Sequence, residues 1–207
     1  MARTVVGGVT TAARAEGHVV EGAALTFHGF PFVTQLMDGS LERVTGSVDR
    51  VSIGGREVTD VSLRARGVEA RSPWHTQQAE LDGLVTFAMV AAAHGEQLRT
   101  DVALSPAPGE PGAALLTASV LGLELGAVVE PFVRDASRVE VQVRTVSLGG
   151  ASVDVDSLPG GLGSRIGGLA FTLDLPDGVA LQSVRVAADG FRIALTAQNV
   201  ALARLAS

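Results

Sequence analysis

Alternation of apolar and polar residues with a period of two restricts this chain more than any other feature. Val139-Glu140-Val141-Gln142-Val143-Arg144 alternates without a break, as do Val61-Ser62-Leu63-Arg64-Ala65-Arg66 and Phe191-Arg192-Ile193-Ala194-Leu195-Thr196. Successive side chains of a strand point to opposite faces, so this rhythm predicts strands with one buried and one solvated face. Turn chemistry separates the runs: Gly54-Gly55, Gly149-Gly150, and Asp189-Gly190 after Val184-Arg185-Val186. Asp-Gly between two alternating runs is a hairpin signal. About nine or ten such runs recur at regular spacing, which predicts an antiparallel meander.

Helical signals are few. Thr86 to His94 fits a short helix, with Thr86 as N-cap and Gly95 at the position after its end. Thr4 to Ala15 is a second candidate, weakened by Gly7-Gly8 at about 1 kcal/mol per glycine. Leu158 to Ile166 reads equally as a loose turn or a loop. Pro106-Ala107-Pro108-Gly109-Glu110-Pro111-Gly112 reads as a long hairpin connection. No shift in composition marks a boundary. The expectation is therefore one all-β domain over 1–207, with 1–17 as an N-terminal helix or arm. Its fold is a curved antiparallel sheet, or a β-barrel-like meander, with one or two short helices.

Ser40–Gly55 (SLERVTGSVDRVSIGG) aligns without gaps to Asp135–Gly150 (DASRVEVQVRTVSLGG). The two share Arg43/Arg138, Val44/Val139, Val48/Val143, Val51/Val146, Ser52/Ser147 and the closing glycine pair. Convergence of strands that end in Gly-Gly explains this, and so do two similar half-sheets.

Composition removes several classes of function. An apolar fraction of 46% excludes a disordered chain, and a net charge of −6 argues against nucleic acid as a partner. Cys, Lys and Tyr are absent, which removes disulfides, a thiolate nucleophile, a Schiff-base lysine and a tyrosine acid. All 16 basic residues are arginine, the side chain suited to two-pronged contact with phosphate or carboxylate. No apolar run reaches the roughly 18 residues of a membrane span, and Ala113 to Phe132 is broken by Thr117, Ser119, Glu124 and Glu130. The N-terminus shows neither a basic start nor an apolar stretch of a secretory signal. As written, the chain is expected in the cytoplasm.

Inward-facing candidates are mostly Val, Ala, Leu and Gly, and the aromatics are seven Phe and Trp74. Two readings stay open: an ordinary packed sandwich, or an interior that admits an apolar ligand.

His28-Gly29-Phe30-Pro31-Phe32-Val33-Thr34-Gln35-Leu36 with Leu41-Glu42-Arg43-Val44 resembles the GFPF-containing signature of the LmeA-like phospholipid-binding proteins. Leu175 to Val186 followed by Asp189-Gly190-Phe191 resembles that family's closing hairpin, and Val146-Ser147-Leu148-Gly149-Gly150 its middle. The resemblance runs from about Val19 to Leu202. It implies a β-rich fold with an apolar groove, in actinobacterial envelope proteins that bind phospholipids. Family members usually carry a signal or membrane anchor ahead of the first helix, and none is visible here; the resemblance implies the cell envelope if the start was trimmed. The resemblance makes an apolar small molecule or a phospholipid the expected partner, with a homodimer possible.

The residues expected at such a ligand are Phe30, Phe32, Leu36, Trp74, Phe87, Met89, Phe132, Phe171 and Phe191, with Arg64 and Arg66 for an acidic head. For Phe30 and Phe32 a core-anchor role competes, and for Arg64 and Arg66 a solvated outer face. The alternative is an intracellular, cofactor-free cyclase of polyketide biosynthesis that folds its substrate in the same pocket. Glu124, Glu130, His28 and Gln35 are its candidate catalytic groups, although the even spacing of Glu124 and Glu130 also fits a solvent-facing strand side. His18, His28, His75 and His94 lack metal-ligand spacing, and no metal or cofactor is expected. Gly161-Leu162-Gly163-Ser164-Arg165-Ile166-Gly167 misses the phosphate-loop spacing, and no GxSxG elbow exists.

Overall fold

A computed structural model describes residues 3–5, 20–28, 38–53, 56–69, 71, 74–98, 101–120, 123–153 and 169–201. The strands are β1 (Arg3–Val5), β2 (Val20–Glu21), β3 (Ala24–His28), β4 (Ser40–Ile53), β5 (Arg56–Glu69) and β6 (His75–Thr86). Helix α1 (Phe87–Leu98) follows. Then come β7 (Val102–Pro106), β8 (Ala114–Val120), β9 (Leu123–Asp135), β10 (Arg138–Leu148), β11 (Ala151–Val153), β12 (Leu169–Thr172), β13 (Val179–Val186) and β14 (Gly190–Ala201). The all-β expectation holds.

The strands form two sheets. The first has the order β1-β3-β4-β5-β6-β14-β13, with β2 also paired to β4. The second has the order β11-β10-β9-β8-β7, with β12 also paired to β10. Among the described residues neither sheet closes on itself, which corrects the barrel-like part of the expectation. The chain leaves the first sheet after β6, builds the second as a meander, and returns with β13 and β14. Strands sufficient for a small barrel are thereby divided between two open sheets. By residue contacts the chain divides into two compact units. The first comprises Met1–Leu84, Leu175–Gln182 and Ala194–Ser207, the second Val85–Asp174 and Ser183–Ile193.

Local chemistry explains the turns. Gly149 (φ 58°) and Gly150 (φ 85°) sit between the opposed residues Leu148 and Ala151. Positive φ at both central positions is what a two-residue hairpin loop needs. The Ala107–Ala113 connection is closed by the Ala107 amide donating to the Ala113 carbonyl at 2.9 Å. It joins β7 to β8 as the proline- and glycine-rich sequence predicts. The Asp189-Gly190 hairpin also forms, with the Ala187 amide donating to the Gly190 carbonyl at 2.8 Å.

Two helix expectations need correction. Thr86 does cap α1, its Oγ1 accepting from the Met89 amide at 3.3 Å, but the helix passes through Gly95 to Leu98. One glycine costs about 1 kcal/mol in a helix, too little to stop it before Glu96, Gln97 and Leu98, which favour helix. Thr4 and Val5 begin no helix; they pair with Thr26 and Leu25 as part of β1. The remainder of that segment and Leu158 to Ile166 lie outside the described residues.

Each unit has its own core. In the first, Leu41, Val44, Ala65, Val68, Ala79, Ala197 and Val200 are buried together, with Leu25, Phe27, Leu63, Leu81 and Val179 half-buried against them. In the second, Phe87, Ala114, Ala127, Val129 and Val146 are buried. Among the described residues, twenty apolar side chains are buried and eleven of them are alanine; only Leu41, Phe87 and Leu181 are larger than valine. The deepest layer of both sheets is therefore thin, and most of the large apolar side chains stand only half-covered around it.

Candidate anion-binding site

The pairing register of β3, β4, β5 and β6 assembles a recess from residues far apart in sequence. His28 lies opposite Arg43, Arg43 opposite Arg66, and Arg66 opposite Gln78. Two residues along, Thr26, Thr45, Arg64 and Glu80 form the neighbouring cross-strand row. Between these rows lies Phe27-Val44-Ala65-Ala79, whose Val44, Ala65 and Ala79 are buried in the core of the first unit. Because side chains alternate between faces, the two polar rows point away from that core.

The rows line a recess of about 200 Å³ bounded by His28, Arg43, Thr45, Arg64, Ala65, Arg66, Gln78 and Glu80. That is smaller than the roughly 300 Å³ at which pockets begin to enclose a whole drug-sized ligand. It suits a head group rather than an entire lipid. Arg43, Arg64 and Arg66 are exposed, and His28 and Thr45 are half-buried. His28 Nε2 is 2.9 Å from Thr45 Oγ1, and that hydroxyl in turn reaches the Thr26 carbonyl at 3.5 Å. If the hydroxyl proton goes to Thr26, Nε2 is the donor to Thr45. Three guanidiniums face one carboxylate, and among the described residues Arg43, Arg64 and Arg66 form no ion pair.

Arg50, on the first sheet outside the recess, is 3.3 Å from Glu57. On β9 and β10, Arg134 Nε is 3.6 Å from Glu140, and Arg144 binds Glu130 and lies 3.6 Å from Glu110. The Arg144 Nε–Glu130 Oε2 distance is 2.9 Å, and these carboxylates hold the guanidinium charged over a wider pH range than usual. Every one of these arginines has its counter-charge supplied by the chain.

The other expected site residues are dispersed. Phe30, Phe32, Gln35 and Leu36 lie outside the described residues. Phe87 is buried and meets half-buried Phe191 edge-on, with ring centroids 5.1 Å apart at 85°, inside the core of the second unit. Met89 is half-buried on α1. Phe132 is 38% exposed, opposite Glu140. Phe171 is also 38% exposed but lies opposite Val139, on the apolar face of the second sheet. Trp74 is 40% exposed and has φ 53°, a left-handed backbone that bulky residues rarely adopt. Glu130 is engaged by Arg144, Glu124 is exposed beside Ser119, and both belong to the second unit, whereas His28 belongs to the first. Among the described residues no group of His, Asp and Glu is placed to hold a metal ion, and no helix is long and apolar enough to cross a membrane.

Arg43, Thr45, Gln78 and Glu80 were not singled out by sequence. The signal was present for the first two. Opposing Ile53 to Arg56 across a two-residue Gly-Gly loop and counting back places Arg43 opposite Arg66 and Thr45 opposite Arg64.

Comparison with known proteins supplies one match. The family model described as LmeA-like phospholipid-binding covers residues 3–196. No curated protein and no solved structure shows a significant match. With nearly the whole chain covered, this protein belongs to the LmeA-like phospholipid-binding family.

Proposed function

We propose that this chain binds a phospholipid by laying its acyl chains along an apolar sheet face. The carrying observation is family membership joined to the thinness of the buried layer. Alanine dominates the fully buried positions, while Leu25, Phe27, Leu63 and Leu81 stay half-buried on one sheet and Phe171 stays 38% exposed on the other. Each methylene taken from water onto such a face contributes about 0.8 kcal/mol. A chain of ordinary fatty-acid length thus has ample drive even after the costs of association. The apolar rows of the first sheet point away from the arginine recess, so Arg64 and Arg66 are not contacts of the acyl chains in this reading.

The test is native mass spectrometry of the full chain purified from its own host, followed by incubation with phosphatidylglycerol vesicles. Retained or acquired phospholipid supports the reading. A chain that carries none and takes none from vesicles overturns it. Phe171→Ser, at an exposed position, is expected to lower retention several-fold with little change in melting temperature.

A further inference from the structure

We propose that the recess formed by Arg43, Arg64, Arg66 and His28 is a binding site for a phosphate group, separate from the apolar faces. Three observations carry it. Arg43 and Arg66 are directly opposed on neighbouring strands, an arrangement of like charges that destabilises a sheet. Arg64, one step along the same face, adds a third guanidinium, and none of the three is neutralised by an ion pair among the described residues. Outside the recess Arg50 on the first sheet and Arg134 and Arg144 on the second are each matched to glutamate. Around the concavity three guanidiniums meet one carboxylate, that of Glu80 opposite Arg64, so the recess keeps an excess of positive charge.

The chemistry selects phosphate. Guanidinium presents parallel N–H donors that grip two phosphate oxygens at once, and opposed Arg43 and Arg66 approach one ligand from two strands. Thr45 orients the His28 ring through the 2.9 Å contact to Nε2. Gln78 and Glu80 also line the recess, and the Glu80 carboxylate, opposite Arg64, repels a phosphate beside it and leaves the Arg43–Arg66 side for the anion. At about 200 Å³ the recess holds the phosphate and part of its ester, not the acyl chains of a lipid. The phosphate can belong to a lipid head group at a membrane surface or to a soluble ester.

The experiment uses the full chain and two probes: inorganic phosphate followed by calorimetry and thermal melting, and phosphatidylcholine vesicles with and without phosphatidylglycerol followed by sedimentation. Phosphate is expected to bind and to raise the melting temperature, and Arg66→Glu to weaken binding about tenfold or more. Arg66→Glu also sets a carboxylate opposite Arg43, so without phosphate its melting temperature is expected to equal or exceed that of the parent. Arg134→Gln, in the paired face of the second sheet, is the control expected to leave the phosphate response unchanged. Binding of free phosphate assigns a soluble ligand. Sedimentation with phosphatidylglycerol vesicles alone, lost in Arg66→Glu, assigns a lipid head group. Either result supports the site. No response to either probe, or a response equal in Arg66→Glu and the parent, overturns it. Because the acyl test scores retained lipid and this one scores the anion, the two readings fail separately.

Discussion

Phe87→Ala separates a core anchor from a ligand contact, because the two roles predict opposite outcomes. Phe87 is 7% exposed, heads helix α1 and meets Phe191 edge-on at 5.1 Å. Truncating a phenylalanine so placed costs about 3–5 kcal/mol, of which the ring pair accounts for about 0.5–1.5 kcal/mol. For a chain of this length each kcal/mol moves the melting temperature by about 2–4 °C, so a fall of roughly 10 °C is expected. Both rings belong to the second unit, and the loss should appear as a lowered urea midpoint. Far-UV circular dichroism reads it, and a cycle with Phe191→Ala should return a coupling of about 1 kcal/mol. Phe87→Leu should lose less than half as much, since it keeps most of the apolar volume. An unchanged urea midpoint together with lost lipid retention would refute the argument, because a side chain that lines a ligand cavity contributes to binding and not to the empty fold.

A Cβ at Gly190 would collide with the Val85 carbonyl oxygen and press on Thr86 Cα at 2.8 Å, both backbone. Gly190→Ala is therefore expected to cost at least about 2 kcal/mol in urea unfolding, and a cost near zero would mean the hairpin moves freely. Thr76 is 1% exposed and its Oγ1 lies 2.9 Å from the carbonyls of both Arg66 and Gln78. Thr76→Val keeps the shape, loses that donor, and should cost about 1–2 kcal/mol by the same assay. Trp74 holds φ 53°, so Trp74→Gly should raise thermal stability by up to about 1 kcal/mol, and a drop would mean the indole packs more than its exposure implies. The Ser137 amide, donating to Asp135 at 3.0 Å, is the main cause holding that carboxyl below its usual range, helped by Arg138 and opposed by slight burial. A carboxyl lowered in the folded state stabilises above its unfolded pKa and loses that contribution as pH falls through the folded one. The β9–β10 turn should hence be insensitive to pH above about 4 and loosen below it, read from exchange of the Ser137 amide and absent in Asp135→Asn.

Much of the fold was written in local pattern. The alternating run at Val139 became β10, the glycine pair at 149–150 became the turn to β11, and Thr86 capped its helix. These signals are visible because they depend on neighbours in the chain. The division into two sheets was not visible, since pairing β14 to β6 joins residues more than a hundred positions apart, and alternation says nothing about which strand lies alongside. The candidate site was half legible for the same reason. Arg64 and Arg66 share a strand and were noticed together. Gln78 and Glu80 enter only through the β5–β6 register, which includes a shift between Thr59 and Ser62 and passes the left-handed Asp60.

The echo between Ser40–Gly55 and Asp135–Gly150 gains meaning from what strands β4 and β10 keep and what they change. Both are long and end at a two-residue connection, and both bury the valine near that end, Val51 at 8% exposure and Val146 at 2%. The apolar side of the pattern is thus held in common, as a packed face demands. The solvent side is where they part. Thr45 of β4 corresponds to Glu140 of β10, and that glutamate is the one that neutralises Arg134. At the same place on β4 a hydroxyl stands instead, bonded to His28 and flanked by Arg43 and Arg64. Solvated faces are nearly indifferent to such exchanges, each worth well under about 1 kcal/mol. A face that opposes arginine to arginine and sets three guanidiniums around one carboxylate accepts a small cost in stability, and ligand binding is the physical role that such a cost can serve.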